Sequence, residues 1–481
     1  MGKKLARIIV FGTGNVYRWS SDILKEYTEI ILFIDNDKSK WDTYLDGKKI
    51  VSPASAVNEQ YDYIVLASYY YVYDMRNQLY DLGCKKEKII HIYELIKKIY
   101  ESKNVELRFP EIASATETVL LISKHGGLGG GEIALANMAT VLKNNGYTVV
   151  MCMPDAEDSY INLLKKRKIQ YVVCPYVYYP SGELLSWICK FDHIVVNTII
   201  MTLATCQISK RRPVIEWVHE CRYMMHQYSM YFYNRFSKCF YNSNTNLYTV
   251  SAVAQRCLRE LFPKSNDKIL PYGIEDSRKD QCYIHHGNSM SFAIIGRIER
   301  NKGDDLVIDA IKRVNKIKKI YAAKFLFIGK RGNRSGFAQH IIREIDNIPN
   351  AQYLGELNRE EMKRIYEEKI DVVIVASRQE CLPTTSAEAM IFSHPSIVCD
   401  ACGMSDYIKN GEDGIVFRTE DADDLGNKIV WCMENQKTIK AMGKNARKIY
   451  EREFSLEVFG ERVIEIMNNR YDLRSNEEED I

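Results

Sequence analysis

The chain has 481 residues, 46% hydrophobic and 27% charged, with 66 Lys+Arg against 63 Asp+Glu and a formal net charge of +3. That balance describes a globular protein able to bury a core, argues against nucleic acid as a partner, and at about 150 residues per domain suggests about three domains. The 13 cysteines are odd in number, scattered and mostly inside apolar segments, which fits reduced thiols in a cytoplasmic core better than a disulfide framework.

The opening MGKKLARIIV runs into strand-like sequence without the apolar stretch and cleavage site of a secretory signal. No run of about 18 apolar residues follows, so a spanning helix is not expected. Strand-like and helix-like stretches alternate almost throughout, the pattern of parallel α/β sheets. The first block, residues 1–100, contains RIIVFGTG, EIILFID, YDYIVLAS and KIIHIY. Gly12 and Gly14 in FGTGN fit a tight turn after a strand, and Asp35 ends the second strand where a ribose could be held. Tyr17 replaces the third glycine of G-x-G-x-x-G and would crowd the approach of helix to strand. Gly12, Gly14 and Asp35 are therefore candidates for a nucleotide, though the expected fold does not depend on one. The polar stretch 101–115, ESKNVELRFPEIASA, reads as a linker.

The second block, residues 116–277, opens with TVLLISKHGGLGGGE and continues through TVVMCM, QYVVC, HIVVNT, PVIEWVHE and LYTVSA. The loop HGGLGGGE, His125 to Glu132, follows a strand and precedes a helix expected to begin near Ile133. Its glycines let the backbone approach a ligand, and the helix start favours an anion. A phosphate or sugar contact is expected, with a flexible turn as the alternative. The segment 223–241, YMMHQYSMYFYNRFSKCFY, reads as buried helix or, alternatively, as an interfacial surface meeting a lipid-linked acceptor. KKRK at 165–168 could assist the latter by attracting anionic lipid.

The third block, residues 278–470, holds SFAIIGRIERNKG, KFLFIGK, AQYLG, DVVIVAS, PSIVCD and GIVF, then a long helical region from Asp423 to about Asn469. An acidic tail, 471–481, is expected to be disordered. Arg297 and Lys302 stand just beyond the strand FAII, at the end of a parallel strand where such sheets bind ligands. Both suit phosphate oxygens, each charge-assisted hydrogen bond contributing about 1.5–3 kcal/mol. In ECLPTTSAE, Glu380 lies just past DVVIVAS, and Pro383 suits the first turn of a helix continuing through TTSAEAM. The helix amino end around Leu382, Pro383, Thr384 and Thr385 then favours a phosphate. Glu388, one turn further in, can accept hydrogen bonds from ribose hydroxyls, and Glu380 can reach the group beyond the phosphates. Hydroxyl, diphosphate, hydroxyl is the order of a nucleoside diphosphate sugar. Cys399 and Cys402 lack a second pair at ligand spacing, so two structural thiols are expected and no metal site.

Five motifs, in order, carry a resemblance over residues from about 116 to 470: GGGE with IALANMATVLKNNGYTVVM, VSAVAQRCLRE, ILPYGIE, IGRIERNKGDDLVIDAI and ECLPTTSAEAM. This region resembles glycosyltransferase family 4, retaining enzymes of the GT-B fold. The resemblance implies two Rossmann-like domains facing a cleft. The first block resembles the small Rossmann-like domains attached to polysaccharide-biosynthesis proteins. By position, Gly130 and Gly131 would line the donor's sugar-diphosphate end, Arg297 and Lys302 would bind the diphosphate, Glu388 the ribose and Glu380 the donor sugar. His219, in EWVHE, matches the family's active-site histidine. The donor would be a UDP- or GDP-linked sugar and the acceptor a glycan or lipid-linked molecule, met at the inner face of the membrane in the latter case. No divalent metal or other cofactor is implied. Retention without an enzymic nucleophile implies same-face attack, the leaving phosphate taking the acceptor's proton. Gly403-Met404-Ser405-Asp406 departs from the family's glycine pair and Glu, which leaves the donor sugar open. A nucleotide-sugar epimerase and a non-catalytic partner of another transferase are the alternatives.

Overall fold

A computed structural model describes residues 6–56, 59–103, 109–112, 116–278, 289–318, 323–332 and 336–469. The expected acidic tail and much of the expected linker lie outside the described residues. The described residues form three sheets. Strands such as Thr118–Ile122, His193–Asn197 and Val214–Val218 are buried at every position, which explains why they read as continuous apolar runs rather than alternating ones.

In the first sheet the central strand Ala6–Phe11 pairs in parallel with Thr28–Ile34 on one side and Tyr63–Leu66 on the other. A short antiparallel hairpin, Tyr44–Leu45 with Lys48–Val51, closes one edge. In the second sheet Thr118–Ile122 lies between His193–Asn197 and Thr148–Met153, both parallel to it. In the third, Met290–Ile295 lies between Ala323–Ile328 and Val372–Val375, again parallel. Each sheet therefore reverses its strand order at its first strand. The crevice at the carboxyl ends beside such a reversal is where open α/β sheets hold ligands.

Contacts divide the chain into two compact units, residues 1–249 with 255–268, and residues 250–254 with 269–481. The first unit holds the first two sheets and the second unit the third. Within the first unit, residues 223–241 form the helices Arg222–Tyr231 and Tyr233–Phe240. Met225, Tyr228, Phe232, Phe236 and Phe240 are buried. The first sheet's domain covers part of this segment: Arg76 lies over the Tyr231 ring at 5.1 Å, and Arg235 pairs with Glu94 at 2.6 Å. The structure thus buries one side of this segment, while Tyr223, Tyr233 and Tyr241 stay exposed. In KKRK, Arg167 turns inward and donates to Asn137 Oδ1 at 2.9 Å, so the run is not one block of surface charge.

Tyr17 does not obstruct the first sheet. Its ring packs edge-on against Phe33 at 4.8 Å, and its hydroxyl donates to Asp46 at 2.6 Å. The long helical region near the end is three helices, Ala422–Glu434, Gln436–Ile449 and Leu456–Asn468. Among the described residues no helix is long and apolar enough to cross a membrane.

Candidate active site

The third sheet places two loops at its switch point, one after Met290–Ile295 and one after Val372–Val375. In the first loop Gly303 has φ +75°, and a Cβ there would meet the Ala376 carbonyl oxygen at 2.1 Å, so glycine is obligatory. That close approach locks the two loops together and presents Lys302. In the second, helix Thr384–Ile391 begins directly after Pro383. Pro383 occupies the cap position rather than the first turn, and it has no side-chain acceptor for the helix's first N–H groups. A small pocket between the loops is lined by Gly296, Lys302, Asp304, Glu380, Pro383 and Thr385.

Lys302 pairs with Glu380, which also accepts a hydrogen bond from Ser377 Oγ at 3.1 Å. The cation expected on the phosphates and the carboxylate expected on the sugar thus hold one another. Arg297 does not line the pocket with Lys302. Its side chain is 60% exposed and its guanidinium donates to Glu299 at 3.2 Å. Residues two apart on extended backbone share a face, which brings Arg297 to Glu299. Glu388 lies within reach of the Tyr366 hydroxyl at 3.4 Å, and burial pushes its carboxyl up to about 7 against that bond and the charge of Arg359. The turn Gly403–Asp406 packs beside Glu380: the Gly403 N–H donates to the Glu380 carbonyl at 3.0 Å. Cys399 and Cys402 are buried thiols, and no cluster fit to hold a metal ion occurs among the described residues.

In the first unit the helix after the glycine loop starts at Gly130, three residues before the expected Ile133. The glycines have different causes. A Cβ on Gly126 would stand 2.6 Å from that of Ala156, so packing requires this glycine. A Cβ on Gly131 would meet nothing closer than 3.7 Å, so packing does not explain that one. Around Gly131 stand Asn197, Thr198 and His219. Asn197 donates to the Gly131 carbonyl at 3.0 Å. Asn197 Oδ1, Thr198 Oγ1 and His219 Nε2 are buried with no hydrogen-bond partner among the described residues. Leaving such atoms unpaired costs about 1–3 kcal/mol each, so the space beside Gly131 suits a polar group such as water or a ligand hydroxyl.

His219 follows strand Val214–Val218 and meets Trp217 edge-on at 4.4 Å. Burial, with the nearby Lys124 ammonium, drives its imidazole down to about 3, so it is neutral at physiological pH. Lys124 lies 3.6 Å from Glu132. Burial opposes its charge, but Glu132 and Glu220 outweigh that and hold the ammonium above its ordinary range. Glu220 in turn accepts the N–H groups of Ile199 at 2.9 Å and His219 at 3.1 Å, fixing the turn that carries the histidine.

Sequence reasoning passed over Lys124, Asn197, Thr198, Glu220 and Asp304. The polar pair Asn197-Thr198 ending a buried strand was a readable signal. Asp304, only 3% exposed and pushed up to about 7 by burial, was hidden because an acidic residue at a helix start reads as an ordinary partner of the helix dipole.

In the first sheet's domain Gly12 has φ +102°, and a Cβ there would meet the Ala67 carbonyl oxygen at 2.9 Å. Asp35 Oδ2 accepts the Thr13 hydroxyl at 2.6 Å and Lys40 at 2.9 Å, while Oδ1 accepts the Asp37 N–H at 2.9 Å. These bonds outweigh burial and keep the carboxyl below its ordinary range. A ribose at Asp35 would meet an Oδ2 already holding Thr13 and Lys40, and could reach the carboxylate through Oδ1.

Residues 115–276 match the family model "Glycosyl-transferase family 4", and residues 283–449 match "Glycosyl transferases group 1", together more than half of the chain. The chain belongs to glycosyltransferase family 4. Residues 4–90 match "C2185-like, N-terminal". An uncharacterized glycosyltransferase of Methanocaldococcus jannaschii is 25% identical over 163 residues, 34% of this family 4 chain and 43% of that protein. The poly(ribitol-phosphate) alpha-N-acetylglucosaminyltransferase of Staphylococcus aureus is 26% identical over 180 residues, 37% of this chain and 35% of that one. The family 4 chain thus matches less than half the length of either relative. An Anabaena protein crystallised in complex with UDP has a TM-score of 0.63 and 16% identity, over 74% of this chain and 100% of that one. That likeness shows the fold: α/β, of the GT-B type, here preceded by an extra Rossmann-like domain.

Proposed function

We propose that the chain moves a sugar, with retention, from a UDP- or GDP-linked donor to a glycan or lipid-linked acceptor. The observation that carries this reading is the third sheet's switch-point pocket, where Lys302, Glu380 and the amino end of helix Thr384–Ile391 converge. In this reading the diphosphate takes Lys302 from Glu380 and receives the first N–H groups of the helix. Pro383 and Thr385 line the pocket beside it, Leu382 and Thr384, also expected there, flank Pro383 without lining it, and Arg297 swings in from its exposed position. The released Glu380 accepts the donor sugar's hydroxyls. Glu388, its carboxyl raised by burial to about 7, accepts those of the ribose.

His219, Gly130 and Gly131 serve the transferred sugar. A neutral imidazole can hydrogen-bond a hydroxyl there without placing a positive charge beside a developing oxocarbenium. The three unpaired atoms near Gly131 supply polar partners that a sugar would satisfy. The acceptor hydroxyl attacks the face the phosphate leaves, gives its proton to the departing phosphate oxygen, and the new charge is met by Lys302 and Arg297. These cations supply the electrostatic stabilisation, so the reading calls for no divalent metal or other cofactor.

The UDP complex of the Anabaena protein favours UDP over GDP. The poly(ribitol-phosphate) named for the Staphylococcus aureus relative favours a polymeric acceptor. A lipid-linked acceptor would bring the chain to the cytoplasmic face of a membrane as a peripheral protein. A thermal-shift screen against UDP- and GDP-sugars, followed by an assay of nucleotide release, tests the proposal. A raised melting temperature with at least one nucleotide sugar, and release of its nucleotide, are expected. No shift and no release across the panel would overturn it.

A further inference from the structure

The first sheet's domain touches the glycine loop of the second sheet at its start. Trp19, in helix Asn15–Tyr27, stacks on His125 with ring centres 4.3 Å apart and planes at 22°. Tyr69, beyond strand Tyr63–Leu66, meets the Tyr178 hydroxyl at 3.0 Å, and Tyr178 donates to the Lys124 carbonyl at 2.6 Å. Lys124 and His125 lead directly into the glycine run.

The His125 ring is gripped at its edges as well as on its face. Nδ1 pairs with Asp155, and Nε2 lies 3.4 Å from Glu157 Oε1. Burial opposes a charge on this imidazole, but Asp155, Glu157 and Glu132 outweigh it and hold the ring above its ordinary range. A ring that favours its imidazolium form is attracted to the face of an indole. The backbone is stitched to the same acidic segment: the Gly126 N–H donates to the Asp155 carbonyl at 2.9 Å, and the Glu157 N–H to the Gly126 carbonyl at 2.7 Å. Gly127 passes so close to the ring that a Cβ there would stand 2.8 Å from His125 Nε2.

A run of glycines has the most conformational freedom to lose and few side chains with which to hold itself. Leu128, the one residue other than glycine between 126 and 131, is 57% exposed and too exposed to serve as an anchor. The course of this loop therefore depends on what fixes its ends. At the far end helix Gly130–Asn144 begins, and Lys124 reaches Glu132 in its first turn at 3.6 Å. At the near end stands His125, with Trp19 on its face.

We propose that Trp19 is a positioning residue for the glycine loop: stacked on His125, it holds residues 126–131 in the course that brings Gly131 beside His219. The N-terminal domain is then a working part of the transfer site. That the loop's course matters for transfer rests on the transferase reading; that Trp19 orders the loop does not.

The test is hydrogen–deuterium exchange of the full chain, read in peptides covering 126–131, with nucleotide-sugar turnover and UDP affinity measured on the same proteins. Trp19→Ala should speed exchange in this loop at least about threefold and leave strand Thr118–Ile122 as in wild type. Turnover should fall about 10- to 100-fold, as for a displacement of about 1 Å at a reacting centre. UDP affinity should stay within about twofold, because UDP lacks the sugar that the loop would meet. Trp19→Leu, which fills much of the same volume without a flat face, should loosen the loop as Ala does. Trp19→Phe, which keeps a ring on His125, should restore most of the protection and most of the turnover. In a His125→Ala background Trp19→Ala should add little, since nothing is left to stack on. Unchanged exchange in the loop, loosening that extends equally into Thr118–Ile122, full additivity with His125→Ala, or a loosened loop with wild-type turnover would overturn the proposal. If loop exchange depends on Trp19 while no nucleotide sugar is turned over by wild type, the transferase reading fails and the ordering of the loop by Trp19 stands.

Discussion

Glu380→Gln should tighten nucleotide binding, whereas Lys302→Ala should weaken it. In the absence of donor Lys302 is held by Glu380, with side chains 34% and 21% exposed. An ion pair this accessible to solvent contributes about 0.2–1 kcal/mol, so a diphosphate that displaces Glu380 loses that much of its own gain. Removing the carboxylate charge should therefore improve UDP affinity by about 1.4- to 5-fold. Removing the ammonium deletes a charge-assisted hydrogen bond of about 1.5–3 kcal/mol, a loss of about 10- to 150-fold. In the Lys302→Ala background Glu380→Gln should add little, because no cation remains to be released. Isothermal titration of UDP into the four proteins completes the cycle, and turnover of the donor should fall in Glu380→Gln even as the nucleotide binds better. Weaker UDP binding by Glu380→Gln, or unchanged binding by Lys302→Ala, would refute the exchange of partners.

Glu388, with a folded pKa near 7 against an ordinary value of 4.5, stabilises the fold fully below pH 4.5 and loses that contribution as pH rises through 7. Asp304, pushed from 3.8 to about 7, acts in the same direction. Denaturant unfolding of wild type, Glu388→Gln and Asp304→Asn between pH 5 and 8 should show a shallower decline in each variant. His219, lowered from 6.5 to about 3, stabilises the fold above pH 6.5 and loses that contribution as pH falls toward 3. His219→Ala should lower turnover about 100-fold with UDP affinity preserved, and the pH–rate profile of wild type between 6 and 8 should carry no inflection from this histidine. Gly131→Ala should melt like wild type, since its Cβ has room, while losing turnover. Gly126→Ala, facing Ala156 at 2.6 Å, should cost about 1–3 kcal/mol in unfolding experiments.

The three sheets were legible because parallel strands buried on both faces leave short apolar runs rich in Val and Ile, and several are followed at their carboxyl ends by glycine-containing turns. The pocket of the third sheet was legible for the same reason: Lys302, Glu380 and Pro383 all follow strand ends. Side-chain direction was not. Arg297 and Lys302 are five positions apart in one loop, and only the local extended backbone decides that Arg297 turns to Glu299. The partnership of Lys302 with Glu380 crosses 78 positions of sequence. Lys124 and Glu220 are likewise brought together by the fold alone. The aromatic segment 223–241 shows the limit from the other side. Its composition favours buried helix while also fitting a membrane surface, and what buries part of it, the first sheet's domain against Tyr231 and Arg235, lies more than 100 positions away in sequence.

A crystal structure of the full chain grown with UDP tests the central claim most directly. The diphosphate should lie in the pocket of the third sheet, within hydrogen-bonding distance of Lys302 Nζ and the N–H groups that open helix Thr384–Ile391, with the ribose hydroxyls on Glu388 and Glu380 no longer paired to Lys302. UDP bound elsewhere, or a pocket that keeps the Lys302–Glu380 pair intact while UDP is present, would contradict the account.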